Sequence, residues 1–284
     1  MKLIDFDGRF DACLQQWYQD NFGKYRTYDE MEEQAPEVYQ RFLDTPADWL
    51  DGAKPGEYFE RFDDPRMLVD WLRAYEESDV PTPDMLLNRI SELGETATEP
   101  LMALLRDEQA PQAARMAAMT LLGEIGSAAP AALYADWLAR WDGKDELGES
   151  ALEGLEGLGE EAAGEMLRVL PDATDEGRYG LLSVLSNLRF DRALVENAVE
   201  LFERRPDLRV QLAAVLGRFG DDFALSALKK AAASEETGYL TFIELRSAIE
   251  ALGGEAPRRR FSDDDPEYEA MRALEARMLN DDPQ

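Results

Sequence analysis

One recurrence constrains this chain more than any other feature: an apolar residue followed by glycine closes SELG at Gly94, GEIG at Gly126, EGLG at Gly159, GRFG at Gly220 and EALG at Gly253. Arg189, closing SNLR, stands where the missing member would be. The six positions are separated by 32, 33, 30, 31 and 33 residues, the length of a helix, a turn, a second helix and a linker. Each unit therefore reads as one helical hairpin. A glycine just past an apolar helix end reads as a left-handed cap, where a missing Cβ removes the steric penalty. Arg189 in that place predicts either modest strain or a different turn.

Counting back from each cap fixes a register. The residue one before is Leu93, Ile125, Leu158, Leu188, Phe219 or Leu252, and all are apolar. The residue four before is Ile90, Leu122, Leu155, Leu185, Leu216 or Ile249; eight before stand Leu86, Ala118, Ala151, Leu181, Leu212 and Leu245. Offsets of three and four build one buried stripe on a helix. The partner helices read from ATEPLMALLRD, APAALYADWLARW, EAAGEMLRVL, RALVENAVELFERR and FALSALKKAAAS. No single hairpin can bury its own apolar face, so the pairs are expected to stack as an all-α solenoid. β-branched residues are scarce and alternation is never sustained, which argues against strands.

RMAAMTLLGEIG and RVQLAAVLGRFG resemble the second helix of the HEAT-repeat superfamily, above all its short bilin-lyase-type repeats, with Arg115 or Arg209 at the start, small alanines in the middle and a capping glycine. Arg178 in GRYGLLSVLSNL matches the same position. The resemblance covers residues 84 to 253 and implies a HEAT-like solenoid. It also implies that these arginines pair with aspartates of a linker or neighbouring repeat, for which Asp107, Asp175 and Asp207 are the candidates. On function it is nearly silent, because that fold carries adaptors, scaffolds and some enzymes.

Sixty acidic against thirty basic residues give a formal charge of -30, which repels phosphate backbones and anionic lipid surfaces. Nucleic acid and membrane are therefore not expected partners. The chain has no histidine and one cysteine, Cys13, which removes the commonest general base and the usual zinc ligands. No enzyme activity, cofactor or metal is expected; no EF-hand pattern accompanies the carboxylates. The opening MKLIDFDGRF lacks the basic flank and apolar run of a signal peptide, so a reducing cytoplasm and a monomer are expected. Cys13, in FDACLQQW, reads as a buried, inert thiol. The alternatives are a bilin-lyase-like or other HEAT-fold enzyme using that thiol, and an inhibitor that mimics nucleic acid.

Three regions follow: residues 1–80 as a helical N-terminal cap, 81–253 as the repeat array, and 254–284 as linker and C-terminal helix. The first holds 15 of the 27 aromatic residues, including Trp17, Tyr18, Trp49, Phe59 and Trp71. Its tryptophans are expected in a core, with PADWLDGAKPGEYFERFDD as a recognition loop in the alternative reading. Helices are predicted through 9–20, through 29–44 with a break at Pro36, and from Pro65 with Asp64 as its cap. The run Arg258, Arg259, Arg260 reads as neutralised by Asp263, Asp264 and Asp265 or, alternatively, as a docking patch, before a closing helix over 266–279.

The residues six and three before each cap point away from the buried stripe: Asn88 and Ser91, Thr120 and Gly123, Glu153 and Glu156, Ser183 and Ser186, Ala214 and Gly217, Ser247 and Glu250. In HEAT-type stacks that face is concave, so a protein partner is expected there. Residues 142–176 carry twelve acidic residues against Lys144 and Arg168, with Glu149, Glu153 and Glu156 at helical spacing on one side. Leu152, Leu155 and Leu158 are expected to face the core. Gly154 and Gly157 should weaken this helix by about 1 kcal/mol each, which marks the third unit as fitting its stacking role least well. The candidate partner-binding residues are Glu149, Glu153, Glu156, Asn88, Thr120, Ser183, Ser186, Ser247 and Glu250, and the expected partner is basic.

Overall fold

The computed structural model describes residues 3–261 and 267–271. Among them the chain is all-α, with no strand. Its helices are α1 (Phe6–Asn21), α2 (Tyr28–Glu32), α3 (Ala35–Asp44), α4 (Pro65–Glu76), α5 (Asp84–Glu92), α6 (Glu95–Arg106), α7 (Gln112–Ile125), α8 (Ala131–Arg140), α9 (Glu146–Leu158), α10 (Ala163–Val169), α11 (Asp175–Leu188), α12 (Arg192–Arg204), α13 (Arg209–Phe219), α14 (Leu225–Ala233) and α15 (Tyr239–Ala251). No helix among the described residues is long and apolar enough to cross a membrane. The chain divides into two compact units, Met1–Pro130 and Ala131–Gln284.

In the first unit, Pro36 falls in the first turn of α3, where a missing N–H is harmless, so the chain breaks between α2 and α3 as its sequence predicts. Asp64 caps α4 by accepting from the Arg66 N–H at 3.0 Å, with Pro65 as the first helical residue. Phe6 lies against Trp49, Tyr58 and Phe59 at ring separations of 5.7, 5.6 and 5.9 Å, and Phe59 and Phe62 meet Trp71 edge-on. The Tyr75 hydroxyl donates to the Ile4 carbonyl at 3.0 Å and accepts from the Ile4 N–H at 3.1 Å, which ties the N-terminal segment to α4. Helix α4 packs on α5 and α6, and α7 packs on both α5 and α6.

In the second unit, α8 pairs with α9, α12 with α13 and α14 with α15, while α9, α11, α13 and α15 pack on one another in order. Polar contacts between successive pairs join residues at similar separations: Arg168 to Asp136 over 32 residues, Arg189 to Glu160 and Arg205 to Glu176 over 29, Arg218 to Ser186 over 32.

The register read from the caps holds at atomic level. All twelve side chains four and eight before the caps are 0% exposed. Of the six residues immediately before them, Phe219 is buried and the others are half-buried, as suits a helix end. Gly94, Gly126, Gly159, Gly220 and Gly253 all have positive φ, from 56° to 73°. Arg189 avoids the strained alternative: its backbone is extended, at φ -151° and ψ 152°, so the turn itself differs.

The third helix pair corrects its own sequence reading. A Cβ on Gly154 would stand 2.6 Å from the Tyr134 ring, and one on Gly148 would overlap Trp141. One on Gly177 would stand 2.2 Å from the Leu138 carbonyl oxygen. These glycines therefore let α8 lie close to α9 and α11, and their low helix propensity is offset by aromatic burial. Gly157, with nothing near it, remains a plain weakness. Thr174 completes the joint: its N–H donates to the Ala139 carbonyl at 2.8 Å, its hydroxyl donates to that of Trp141 at 2.6 Å, and the same oxygen accepts from the Gly177 N–H to cap α11.

After α15 the chain folds back. Phe261 and Tyr268 pack around Tyr239, and Phe261 also meets Phe242. Arg259 is half-buried, stacks on Phe261 at 4.7 Å and donates to the Glu235 carbonyl at 2.9 Å. The arginine run is thus split, with Arg259 anchoring the segment while Arg258 and Arg260 are exposed. Asp263, Asp264, Asp265 and most of the predicted closing helix lie outside the described residues.

Candidate functional site

Helix α9 is positioned by Asp145, whose carboxylate accepts from the Gly148 N–H at 2.7 Å. It buries Gly148, Ala151 and Leu155. Leu152 and Leu158, expected in the core, are only half-buried, because they flank rather than centre that stripe. Glu149, Glu153 and Glu156 are exposed on the other side, and no ion pair engages them among the described residues. Glu149 lies in the first turn, where the helix dipole favours a negative charge; Glu153 and Glu156 lie towards the other end, and the last turn holds no basic residue. Their charges are left for solvent or a ligand to compensate.

On α11 the structure overturns part of the expected face. Ser186 is buried, donating its hydroxyl to the Ser183 carbonyl at 2.7 Å and accepting from Arg218 Nε at 2.9 Å. Arg218 also donates from Nη2 to Ser183 Oγ at 3.1 Å. Both serines are thus consumed by a bracket from α13 to α11, because α13 packs directly against the side that the offset rule leaves open. On α15, Ser247 and Glu250 are exposed, with Glu250 accepting from Arg246 at 3.0 Å. In the first unit Asn88 on α5 and Thr120 on α7 are exposed on packed helices, the Thr120 hydroxyl donating to the Met116 carbonyl at 3.3 Å.

The arginine ladder that the family resemblance implies is met in part: the Arg115 charge acts on Asp107, whereas the other contacts are differently shared. Asp107 takes a 2.7 Å ion pair from Arg73 of α4; Asp175 pairs with Arg204 and Arg205; Asp207 pairs with Arg205. Arg115 donates from Nε to the Leu105 carbonyl at the end of α6, Arg178 reaches the Pro171 carbonyl, and Arg209 lies over the Phe202 ring. Arg115 and Arg178 therefore reach carbonyls at or just past the ends of preceding helices, where orphan acceptors and the dipole favour a cation.

Titration shifts follow the same contacts. The Gln109 N–H, then Arg73, hold the Asp107 carboxyl below its usual range. The Arg205 guanidinium does so for Glu176 and Asp207. Burial pushes the Tyr134 phenol well above its ordinary value, so it stays protonated. No group of three or more potential ligands is arranged to hold a metal ion among the described residues. Cys13 is exposed, contrary to the buried thiol that its apolar neighbours predict, because α1 buries only Phe6.

No family model matches the chain, and no curated protein does.

Proposed function

We propose that the helix pairs form a HEAT-like solenoid that serves as a non-catalytic scaffold in the cytoplasm, binding a basic protein partner through the acidic face of its second helices. The observation that carries this reading is the α9 stripe. Glu149, Glu153 and Glu156 are exposed without ion pairs on a helix whose opposite side is fixed in the core. Small exposed residues at Ala214 and Ser247 on the second helices α13 and α15 leave room for a partner backbone, whereas Gly217 is taken up by the packing of α13 on Ala248 of α15. Cationic side chains on that partner would supply the compensation that the last turn of α9 lacks.

The test is the triple charge reversal Glu149→Lys, Glu153→Lys, Glu156→Lys, with affinity capture from source cells and mass spectrometry. Wild-type protein should retain basic proteins that the variant loses. Retention should fall as salt rises, since exposed charges are screened beyond about 8 Å at physiological ionic strength. Equal recovery by both proteins sinks the reading.

A further inference from the structure

Helix α1 spans 16 residues yet buries only Phe6, in its first turn. Beyond that turn it carries a group of rings. Trp17 meets Tyr18 at 5.6 Å and Tyr25 at 5.8 Å, and Tyr18 meets Tyr28 of α2 at 5.6 Å. Phe22, which follows the last residue of α1, is 87% exposed and Tyr28 is 61% exposed. Single exposed apolar residues are ordinary; a contiguous aromatic group marks a surface that another molecule covers.

The rim states the chemistry of that molecule. Residues 11–33 carry Asp11, Asp20, Asp29, Glu30, Glu32 and Glu33 against Lys24 and Arg26. Lys24 is already held by the Asn21 side-chain oxygen at 2.8 Å. Burial, then Tyr28 and the Glu32 carboxylate, push the Tyr18 phenol up, so it stays a neutral hydroxyl beside Glu32. Electron-rich ring faces beside carboxylates attract guanidinium groups, which stack on the former and hydrogen-bond the latter. The same unit already uses this chemistry internally, with Arg61 over Tyr58 at 4.1 Å and Arg9 over Trp49 at 5.3 Å. A second copy would bring the same carboxylates face to face.

We infer that the α1–α2 aromatic face docks an arginine-bearing amphipathic segment of a protein partner, with guanidinium groups over the Trp17 and tyrosine rings and aliphatic side chains against Phe22. This site is independent of the α9 stripe, which lies in the other unit.

The sole cysteine provides the probe. Cys13 is exposed and one turn before Trp17, so an environment-sensitive fluorophore attached there reports on this face. The ligand is a synthetic peptide with leucine and arginine at helical spacing, and its control replaces each arginine by glutamate. The arginine peptide should give a saturable signal and the control none. Phe22→Ser with Tyr28→Ser should weaken binding about tenfold, the effect of losing central aromatic contacts, while the α9 charge reversal leaves it unchanged. Both substituted side chains are exposed, and circular dichroism confirms that the variant folds. Equal binding by the double variant overturns the inference, as does binding of the glutamate peptide or dependence on α9. A concentration-dependent dimer abolished by the double variant overturns it too, by making a second copy the occupant.

Discussion

Helices α1 and α11 are nearly equal in length, at 16 and 14 residues, yet α11 buries seven residues and α1 buries one. The difference lies in the neighbours more than in pattern or hydrophobic content. Helix α11 presents small residues and leucines at offsets of three and four, which interlock with α8, α9 and α13. Helix α1 carries Phe6, Phe10, Leu14 and Trp17 at offsets of four and three as well, but it packs chiefly on α3, and only Phe6 is fully buried. An aromatic residue at helical spacing thus signals a core only when neighbouring helices supply the other wall.

The sharpest way to break this comparison is truncation on each helix. Leu185→Ala on α11 should cost about 3 kcal/mol, as buried leucines do, whereas Leu14→Ala on α1 should stay within about 1 kcal/mol, as at half-buried sites; chemical denaturation measures both. Gly177→Ala comes next. Its Cβ must displace the Leu138 carbonyl, and overpacking of this kind costs about 2 kcal/mol, read as a lowered urea midpoint. Gly220→Ala, at φ 70°, should cost about 1 kcal/mol from the left-handed backbone alone. Arg189→Gly, at an extended position, should gain nothing and lose a few tenths of a kcal/mol through the looser unfolded chain.

The smallest effect is visible only against pH. Glu176 and Asp207 have folded-state pKa values depressed below 4.5 and 3.8 by Arg205. Depressed carboxylates stabilise the fold above those values, and that contribution is lost as pH falls through the folded ones. Wild-type and Arg205→Gln proteins should therefore differ in thermal midpoint at neutral pH and converge as pH drops below 4.5. A gap that persists unchanged into acid would show that Arg205 acts by packing alone.

The buried stripe and its caps were legible because helical period and left-handed turns are local properties, written in residues a few positions apart. The seats of Tyr134 and Trp141 were not. Gly154 and Gly148 read as helix weakness until the facing helix is known, because propensity carries no term for what lies across an interface. The acidic side of α9 was legible from spacing. Ser183 and Ser186 failed as free surface because Arg218 sits 32 and 35 residues further on. An arginine two before a cap, with two serines one repeat earlier, was the available signal. The exposure of α1 was not legible, because Phe6, Phe10, Leu14 and Trp17 keep helical spacing and only the neighbouring helices decide how deep they lie.

The Ile4 to Tyr75 hydrogen bonds span 71 residues, while the bonds between helix pairs close over shorter separations, 32 residues for Arg218 to Ser186. A ribosome makes the chain from its N-terminus, so α1 leaves the exit tunnel long before α4 exists to hold it. Each helix pair of the second unit, in contrast, finds its previous neighbour already made. Helix α1 thus stays unfastened until Tyr75 emerges, 71 residues after Ile4, and its rings stand open to passing proteins for that interval.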